Sequence, residues 1–529
     1  MRDVTQTGTN FRDALAQRPE RARPRAQQRE ASRPVSDNSG IGKNKNALQS
    51  CWRLAVWICL LFCFAYSAAA LEVQEVRWGF DGQVVPGRFN LLSVLVANSS
   101  AAPFDGALKL YKDMNSEVYG APCYVSALTA RWLQFYVFID NEYVHWHLDW
   151  GRGASERYDM DPPKWSRPAQ VMLSDSEMLG VGGTAFKQFP DELFPPTAAA
   201  ADGLDSVLLD HAPRWEGVKR QAFLSWLRAG GKVHLLQGAD GHYPVFADEL
   251  SVLNAAEPRL RVGSGTVVRH GASAREIRRR DILDADAPPG EFSANEKYET
   301  VNTEESFLRT LAQLSQRRYN WAAIYLLAFA YLALAGPGQF FWGRKIGDYR
   351  LRIGLLLAIV AAFAFLFNLV GRRGLGERNV VHSLSYARSI GGGSYDVLQW
   401  DNVFAARGSH YSITHGAPHN LYSVGRNFDA VNGVIQGGKD GRLVLDIPMF
   451  SRRAFVHQAE MKGHSIPLTV QSWTGADTVK HLVVAGEPDL PKQVLMGWVA
   501  QGNRLYALKT TAAGLEFDDG DTESLTDSG

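Results

Sequence analysis

The chain has 529 residues, of which 46% are hydrophobic and 21% are charged, and its formal net charge is +1. At about 150 residues per domain, this length predicts three or four domains. The balanced charge provides no global field for nucleic acid, so we expect no nucleic-acid partner. The slightly negative mean hydropathy argues against a polytopic transporter and allows a few spans attached to large soluble parts.

Residues 1–50 form a basic segment rich in Arg, Gln, Ser and Asn, which predicts disorder because it cannot bury a core. The segment 51–70 follows, with an apolar run from Leu54 to Tyr66 that ends in small residues. This pattern predicts a secretory signal peptide cleaved after Ala70. The alternative is an uncleaved N-terminal anchor helix.

The four cysteines are Cys51, Cys59, Cys63 and Cys123. The first three lie in or beside the signal segment, so Cys123 is the single cysteine of the predicted folded domains. One cysteine cannot form an intramolecular disulfide. Because the sequence contains no CxxC and no Cys/His ligand spacing, we expect no metal site and no cofactor.

Residues 71–160 carry short β-branched and aromatic runs, among them Val73–Trp78, Leu91–Ala97 and Phe135–Ile139. Turn signals separate several of them, which favours an immunoglobulin-like β domain.

Residues 168–290 have a different pattern. Asp205–Asp210 and Lys232–Gln237 read as strands, and Glu216–Arg228 reads as a helix with an apolar stripe of Val218, Ala222, Phe223 and Trp226. Gly230 and Gly231 are expected to end that helix. Strand, helix and strand predict a βαβ unit with parallel strands in an α/β domain.

A juxtamembrane helix is predicted over residues 303–320, with Asn302 and Glu305 as its capping box. Residues 321–342 and 353–371 then contain no charge. Each is long enough to cross the roughly 30 Å hydrocarbon core of a bilayer, so we predict two transmembrane helices. The alternative is a buried helix hairpin of a soluble protein.

The loop 343–352 between the two spans carries four cations and one carboxylate, which places it in the cytoplasm. Arg317, Arg318, Arg372 and Arg373 at the other ends oppose this orientation, and the export signal supports it. We therefore expect a protein of the bacterial inner membrane, in contact with the lipid bilayer, with most of its mass outside the cytoplasm.

Residues 379–514 return to β-type runs separated by Gly, Asn and Asp turns, and they predict a second β-sandwich. The acidic tail 515–529 is expected to be frayed. The predicted fold class is thus multidomain, with a β-sandwich, an α/β domain, a transmembrane helix hairpin and a C-terminal β-sandwich.

This order of parts resembles a group of bacterial membrane proteins with an extracytoplasmic domain similar to class I glutamine amidotransferases. The resemblance covers roughly residues 72–500. Its most specific parts are Asp205–Gln237, with Phe223–Gly231 inside it, and Tyr331 followed by Gly336-Pro337 and Arg344-Lys345. It implies an amidotransferase-like α/β domain, a membrane address, and partners among envelope proteins associated with MoxR-type ATPases and von Willebrand-type proteins.

Active glutamine amidotransferases carry a cysteine on the turn after a strand, with a His-Glu pair downstream. Here the equivalent strand Lys232–Gln237 is followed by Gly238-Ala-Asp-Gly241, without a cysteine. Cys123 lies in the preceding β domain. The resemblance therefore implies a non-catalytic version of the fold, and we assign no catalytic residue and expect no enzyme.

Two groups of polar residues are candidate sites. His145, His147 and Asp149 alternate, so they share one face of a strand, where a metal site and a plain polar face compete. Asp210 and His211 follow a strand of the βαβ unit, at the edge where ligands collect in open α/β sheets.

Three other patterns carry weaker signals. Gly391–Ser394 lacks the Lys-Ser/Thr of a phosphate-binding loop, and Leu179–Gly183 is equally unspecific. The spacing of His410, His415 and His419 fits no ligand rule.

The sequence favours a membrane-anchored scaffold or interaction protein of the bacterial envelope. The alternative is a ligand sensor or hydrolytic enzyme at the carboxyl edge of the α/β domain. An enzyme predicts a deep pocket near His211 and Asp240, whereas a scaffold predicts an exposed apolar patch elsewhere.

Overall fold

A computed structural model provides the coordinates of the chain. It describes residues 71–113, 117–141, 143–151, 156–175, 185–238, 240–282, 294–314, 321–371, 379–424, 433–463, 469–474, 481–485, 497–501, 504–511, 514–518 and 522–524. The chain divides into the units Met1–Ser67 and Ala68–Gly529, and all described residues belong to the second. The predictions for residues 1–50 and 51–70, with the cleavage after Ala70, lie outside the described residues.

The first thirteen strands precede the predicted spans. They are β1 (Leu71–Trp78), β2 (Phe89–Asn98), β3 (Phe104–Lys112), β4 (Glu117–Val125), β5 (Ala130–Phe138), β6 (Trp146–Asp149), β7 (Arg157–Met160), β8 (Ala169–Ser174), β9 (Lys187–Pro190), β10 (Leu204–Leu209), β11 (Lys232–Gln237), β12 (Arg259–Val262) and β13 (Gly265–Ser273).

Thirteen more follow the spans. They are β14 (Val380–Gly391), β15 (Ser394–Ala405), β16 (Ser409–Ile413), β17 (Leu421–Val424), β18 (Gly433–Gln436), β19 (Arg442–Ile447), β20 (Ser451–Lys462), β21 (Thr469–Thr474), β22 (His481–Ala485), β23 (Gly497–Gln501), β24 (Arg504–Thr511), β25 (Gly514–Asp518) and β26 (Thr522–Ser524).

The α-helices are α1 (Gly217–Arg228), α2 (Ala294–Leu314), α3 (Trp321–Ala333), α4 (Gln339–Lys345) and α5 (Tyr349–Gly371).

A seven-stranded sheet contains strands from both sides of the helix hairpin. Its order is β16-β19-β18-β4-β3-β6-β7, and the junction is a parallel pair in which Gly433 lies opposite Glu117. The predicted boundary between a β domain at 71–160 and another at 379–514 is therefore wrong. Without each other, β4 and β18 would each leave a row of backbone N–H and C=O groups unpaired, and the parallel pairing satisfies both rows.

Two smaller sheets pack against the seven-stranded one. They have the orders β1-β2-β5 and β14-β15-β20-β17. Leu92, Leu108, Val403, Leu445 and Phe455 come from three different sheets and belong to one buried core. The β-sandwich is thus a single structure built from two distant stretches of sequence.

A six-stranded sheet of order β12-β13-β11-β10-β8-β9 forms the α/β part. β10 pairs in parallel with β8 and with β11, and α1 connects β10 to β11, so the predicted βαβ unit is confirmed. Gly230 has a φ of 126°, and the N–H of Gly231 donates to the carbonyl of Trp226, which ends α1 as a Schellman motif. Val218, assigned to the apolar stripe, is exposed instead.

Helix α2 begins at Ala294, so Asn302 lies inside it, and the predicted capping box there is wrong. The helix packs on the β14-β15-β20 face of the sandwich rather than standing alone. The rings of Phe307 and Trp400 lie 5.2 Å apart, and Arg452 Nη1 donates to the carbonyl of Ala312 at 2.8 Å. Residues 315–320 of the predicted helix lie outside the described residues.

Two helices are long and apolar enough to cross a membrane, over Ile324–Lys345 and Tyr349–Phe367. The first contains α3 and α4 joined by a π-helical segment, Leu334–Gly338, which includes Pro337. Proline has no N–H to donate, and the wider turn accommodates that missing bond. The loop predicted at 343–352 is shorter than expected, because α4 ends at Lys345 and α5 begins at Tyr349.

The last strands, β21 to β26, form their own sheet with a small separate core. The predicted second β-sandwich over 379–514 is therefore divided between this sheet and the shared sandwich. The prediction of a frayed tail from residue 515 is corrected for β25, because Leu515 and Phe517 alternate into the core.

Candidate functional site

The candidate site lies at the carboxyl edge of the α/β sheet, where Asp210 and His211 follow β10. His211 Nδ1 is 2.9 Å from Asp210 Oδ1, and its Nε2 is 3.4 Å from Asp191 Oδ2. Asp191 follows β9 directly and opens a short 3₁₀ helix, Asp191–Leu193. The imidazole is thus held between two carboxylates that come from the ends of two strands.

These carboxylates determine the charge of the imidazole. The hydrogen bond to Asp191, followed by that to Asp210, raises the pKa of His211 to about 9, against a smaller opposing effect of burial. At neutral pH His211 is therefore an imidazolium, and both ring nitrogens are donors. In that state it cannot accept a proton as a general base, and it ties the loop after β9 to the end of β10.

Aromatic side chains fill the space behind this edge. Trp215 Nε1 donates to the carbonyl of Asp191 at 2.7 Å, and the Trp215 ring packs 4.9 Å from Phe194 and 5.2 Å from Phe223. Asp240, the other residue predicted at this edge, accepts the backbone N–H of His242 at 3.0 Å and so fixes its own turn.

Cys123 lies on β4 in the core of the sandwich and is 1% exposed. Burial raises the pKa of its thiol to about 11. The nucleophile of a thiol enzyme is the thiolate, which this environment disfavours. Its strand belongs to the seven-stranded sheet, whereas β11, which precedes Gly238, belongs to the six-stranded sheet.

The predicted strand face is confirmed for His147 and Asp149, because the intervening Leu148 is buried, whereas His145 lies one residue before β6. The His147 ring stacks on that of Tyr111 at 4.9 Å. The face is therefore built from cross-strand aromatic contacts. Among the described residues, no group of three or more His, Cys, Asp or Glu side chains could hold a metal ion.

The second histidine cluster differs from its sequence pattern. His415 stacks on His457 with ring centroids 3.6 Å apart, and its Nδ1 lies 2.9 Å from the hydroxyl of Tyr422. Burial lowers the pKa of His415 to about 4 and holds the pKa of His457 well below its usual range. His457 lies within the apolar run of β20, where nothing in the sequence marks it as a partner of His415.

Gly391 to Gly393 turn the chain between β14 and β15, and all three have positive φ angles. They are a hairpin turn rather than a phosphate loop, since a strand follows instead of a helix. Leu179–Gly183 lies outside the described residues.

Neither a family model nor a curated protein matches the chain. Among solved structures, it is similar to the crystal structure of a cycloisomaltooligosaccharide glucanotransferase from Paenibacillus sp., complexed with cycloisomaltoheptaose. The alignment has 10% identity and a TM-score of 0.17, and it covers 73% of this chain and 70% of that one. Similarity at that level says nothing about fold or activity.

Proposed function

We propose that the protein is a scaffold or interaction protein of the bacterial envelope, anchored in the inner membrane by its helix hairpin, with its β-rich body outside the cytoplasm. The observation that carries the proposal is an exposed apolar edge strand, β14, directly after the hairpin.

The seven-stranded sheet supports placing the chain segments before and after the helix hairpin on the same side of the membrane. β4 precedes the hairpin in sequence, β18 follows it, and the two strands pair. Strands that are hydrogen-bonded in one open sheet lie on the same side of a bilayer, since the open edges of a sheet that spanned the lipid would have unpaired backbone groups. If the hairpin crosses the membrane twice, both flanks emerge together, and the basic connection between the helices favours the outer side for the body.

Strand β14 has features that monomeric proteins usually avoid at a sheet edge. It is 12 residues long and, within the described part of the chain, pairs only with β15. Val380, Val381, Leu384 and Tyr386 are exposed by 40%, 41%, 40% and 57%. Natural edge strands are kept short or carry charges, because their open N–H and C=O groups recruit other strands.

Such an edge suits β-strand addition by a partner. Main-chain hydrogen bonds would supply affinity, and the apolar side chains on both faces would supply selectivity. Other envelope proteins, including those associated with MoxR-type ATPases and von Willebrand-type proteins, are the partner class that the family resemblance implies. In this proposal the α/β domain is a non-catalytic relative of the amidotransferases.

The alternative, a ligand sensor or hydrolytic enzyme, would use the carboxyl edge beside His211. The Asp191–His211–Asp210 arrangement favours it as the second candidate. Its imidazolium would hold the two carboxylates in place rather than accept a proton.

A photo-crosslinking amino acid at Tyr386 tests the scaffold proposal in living cells. We expect a crosslinked species of one defined mass that is lost or reduced at least fivefold by Leu384→Lys, because a lysine on an edge strand opposes strand addition. The matched control substitution is Val434→Lys, since Val434 is also 40% exposed but lies on an interior strand.

The same crosslinker at Tyr143, which is 78% exposed, controls for random collision. Equal crosslinking at positions 143 and 386, or a Tyr386 product that survives Leu384→Lys, contradicts the use of β14 as the interaction surface.

A further inference from the structure

We propose that the first turns of α5, with the connection that precedes them, form a binding groove for an anionic phospholipid. This inference rests on the proposed membrane insertion of the hairpin and adds a specific ligand to it.

The groove is lined by Ile346, Arg350, Leu351, Gly354, Leu355 and Ala358. Five of these belong to α5, and Gly354 and Ala358 stand one turn apart, so the absence of large side chains opens the depression. A Cβ built at Gly354 has no atom within 4 Å, which shows that the space above this residue is empty.

The groove includes Arg350, and the segment of chain around it is rich in cations. Arg344, Lys345, Arg350 and Arg352 oppose the single carboxylate of Asp348 in this stretch. In the part of the chain that the structure describes, Arg350 and Lys345 make no ion pair, and Arg350 is exposed.

The other two arginines have structural contacts. Arg352 Nε donates to the carbonyl of Ile346 at 2.7 Å, and Gln339 Nε2 donates to the carbonyl of Arg352 at 3.1 Å. The Arg344 guanidinium lies 4.3 Å above the ring of Phe340. These contacts hold the connection between α4 and α5 in place beside the groove.

An arginine beside apolar lining residues matches a phosphate group attached to an acyl chain. Guanidinium groups bind phosphate oxygens through two parallel hydrogen bonds, which gives Arg350 its expected role. Free phosphate would make no contact with the apolar lining residues, and a zwitterionic lipid has no net charge to interact with the cations.

The test uses the delipidated full-length chain in detergent, titrated with phosphatidylglycerol or with phosphatidylcholine of the same acyl chains, and read by native mass spectrometry. The wild type should bind phosphatidylglycerol preferentially. Arg350→Gln should reduce that preference about fivefold, the effect expected of one interfacial cation.

Gly354→Leu should lower phosphatidylglycerol binding by filling the groove. Ala361→Leu is the matched control, because it places the same side chain seven residues further along the same face of α5. Equal binding of the two lipids by the wild type, or an unchanged preference in Arg350→Gln, overturns the proposal. So does displacement of the lipid by equimolar inorganic phosphate, which would identify a headgroup-only site.

Extraction of the wild-type chain from membranes by alkaline carbonate separates this proposal from the one on which it rests. Release into the soluble fraction would refute membrane insertion and the lipid site together. Retention combined with equal lipid binding would refute the lipid site alone.

Discussion

Replacing Lys112 by Ala is expected to lower the free energy of unfolding of the β-sandwich by about 3–5 kcal/mol, the cost of leaving buried charge without a partner. Lys112 is 2% exposed, and its Nζ lies 2.6 Å from Asp140 Oδ1. Glu117 is also buried nearby, and the charge of Lys112 acts on it. The substitution removes the cation and leaves two carboxylates.

Glu117 connects the buried charge of Lys112 to a strand on the other side of the helix hairpin in sequence. Its Oε1 accepts hydrogen bonds from Ser423 Oγ and from the backbone N–H of Val424, both at 3.1 Å. These bonds join β4 to β17, from opposite sides of the helix hairpin in sequence. Burial raises the pKa of Glu117, and the charge of Lys112 opposes that rise. Without Lys112, Glu117 is expected to take up a proton more readily.

Urea unfolding of the full-length chain in mild detergent, followed by pulse proteolysis, measures the effect. Lys109→Ala is the control, because Lys109 lies on the same strand with its side chain exposed, and its loss should change stability by no more than about 0.5 kcal/mol. Similar losses in the two variants would mean that the buried network contributes nothing specific.

Gly265→Ala should destabilise the α/β part by about 3 kcal/mol, through overpacking against backbone that cannot move aside. Gly265 starts β13 against the end of α1. A Cβ there would lie 1.9 Å from the carbonyl oxygen of Leu227 and 2.6 Å from that of Gly231. The same contact makes the β12–β13 hairpin pack closely on α1, so the alanine must separate them.

Gly271→Ala provides the matched control, since Gly271 lies on the same strand and a Cβ at that position has no atom within 4 Å. Thermal unfolding of the two variants should differ clearly in midpoint. If Gly271→Ala is as destabilising as Gly265→Ala, the glycines matter for backbone freedom along β13 rather than for the contact with α1.

Local patterns predicted the α/β unit and the hairpin well. The strand, helix and strand around residues 205–237 are each specified by nearby residues, and Gly230 ends the helix through its own backbone preference. The apolar spans 321–342 and 353–371 are recognisable for the same reason. What local patterns do not contain is the partner of a strand, so the pairing of β4 with β18, about three hundred residues apart, was missed.

The candidate site likewise combines features that local sequence predicts with features that depend on tertiary packing. The position of His211 after a buried strand was predictable, whereas Asp191, which determines much of its charge, has no distinguishing sequence signal. The stack of His415 on His457 likewise depends on tertiary packing. The spacing of His410, His415 and His419 fits no ligand rule and does not indicate His457, because that neighbour comes from a different hairpin.

Cysteine accessibility in intact cells tests whether the β-rich body lies outside the cytoplasm. Single cysteines at Val245, Gly347 and Met449 would be placed in a background in which the four native cysteines are replaced by alanine. Val245 and Met449 are exposed by 81% and 62%, and Gly347 lies in the exposed connection between α4 and α5. We expect a membrane-impermeant reagent to label positions 245 and 449 in intact cells and position 347 only after permeabilisation. Labelling of position 347 alone would place the body in the cytoplasm and contradict the proposed envelope scaffold.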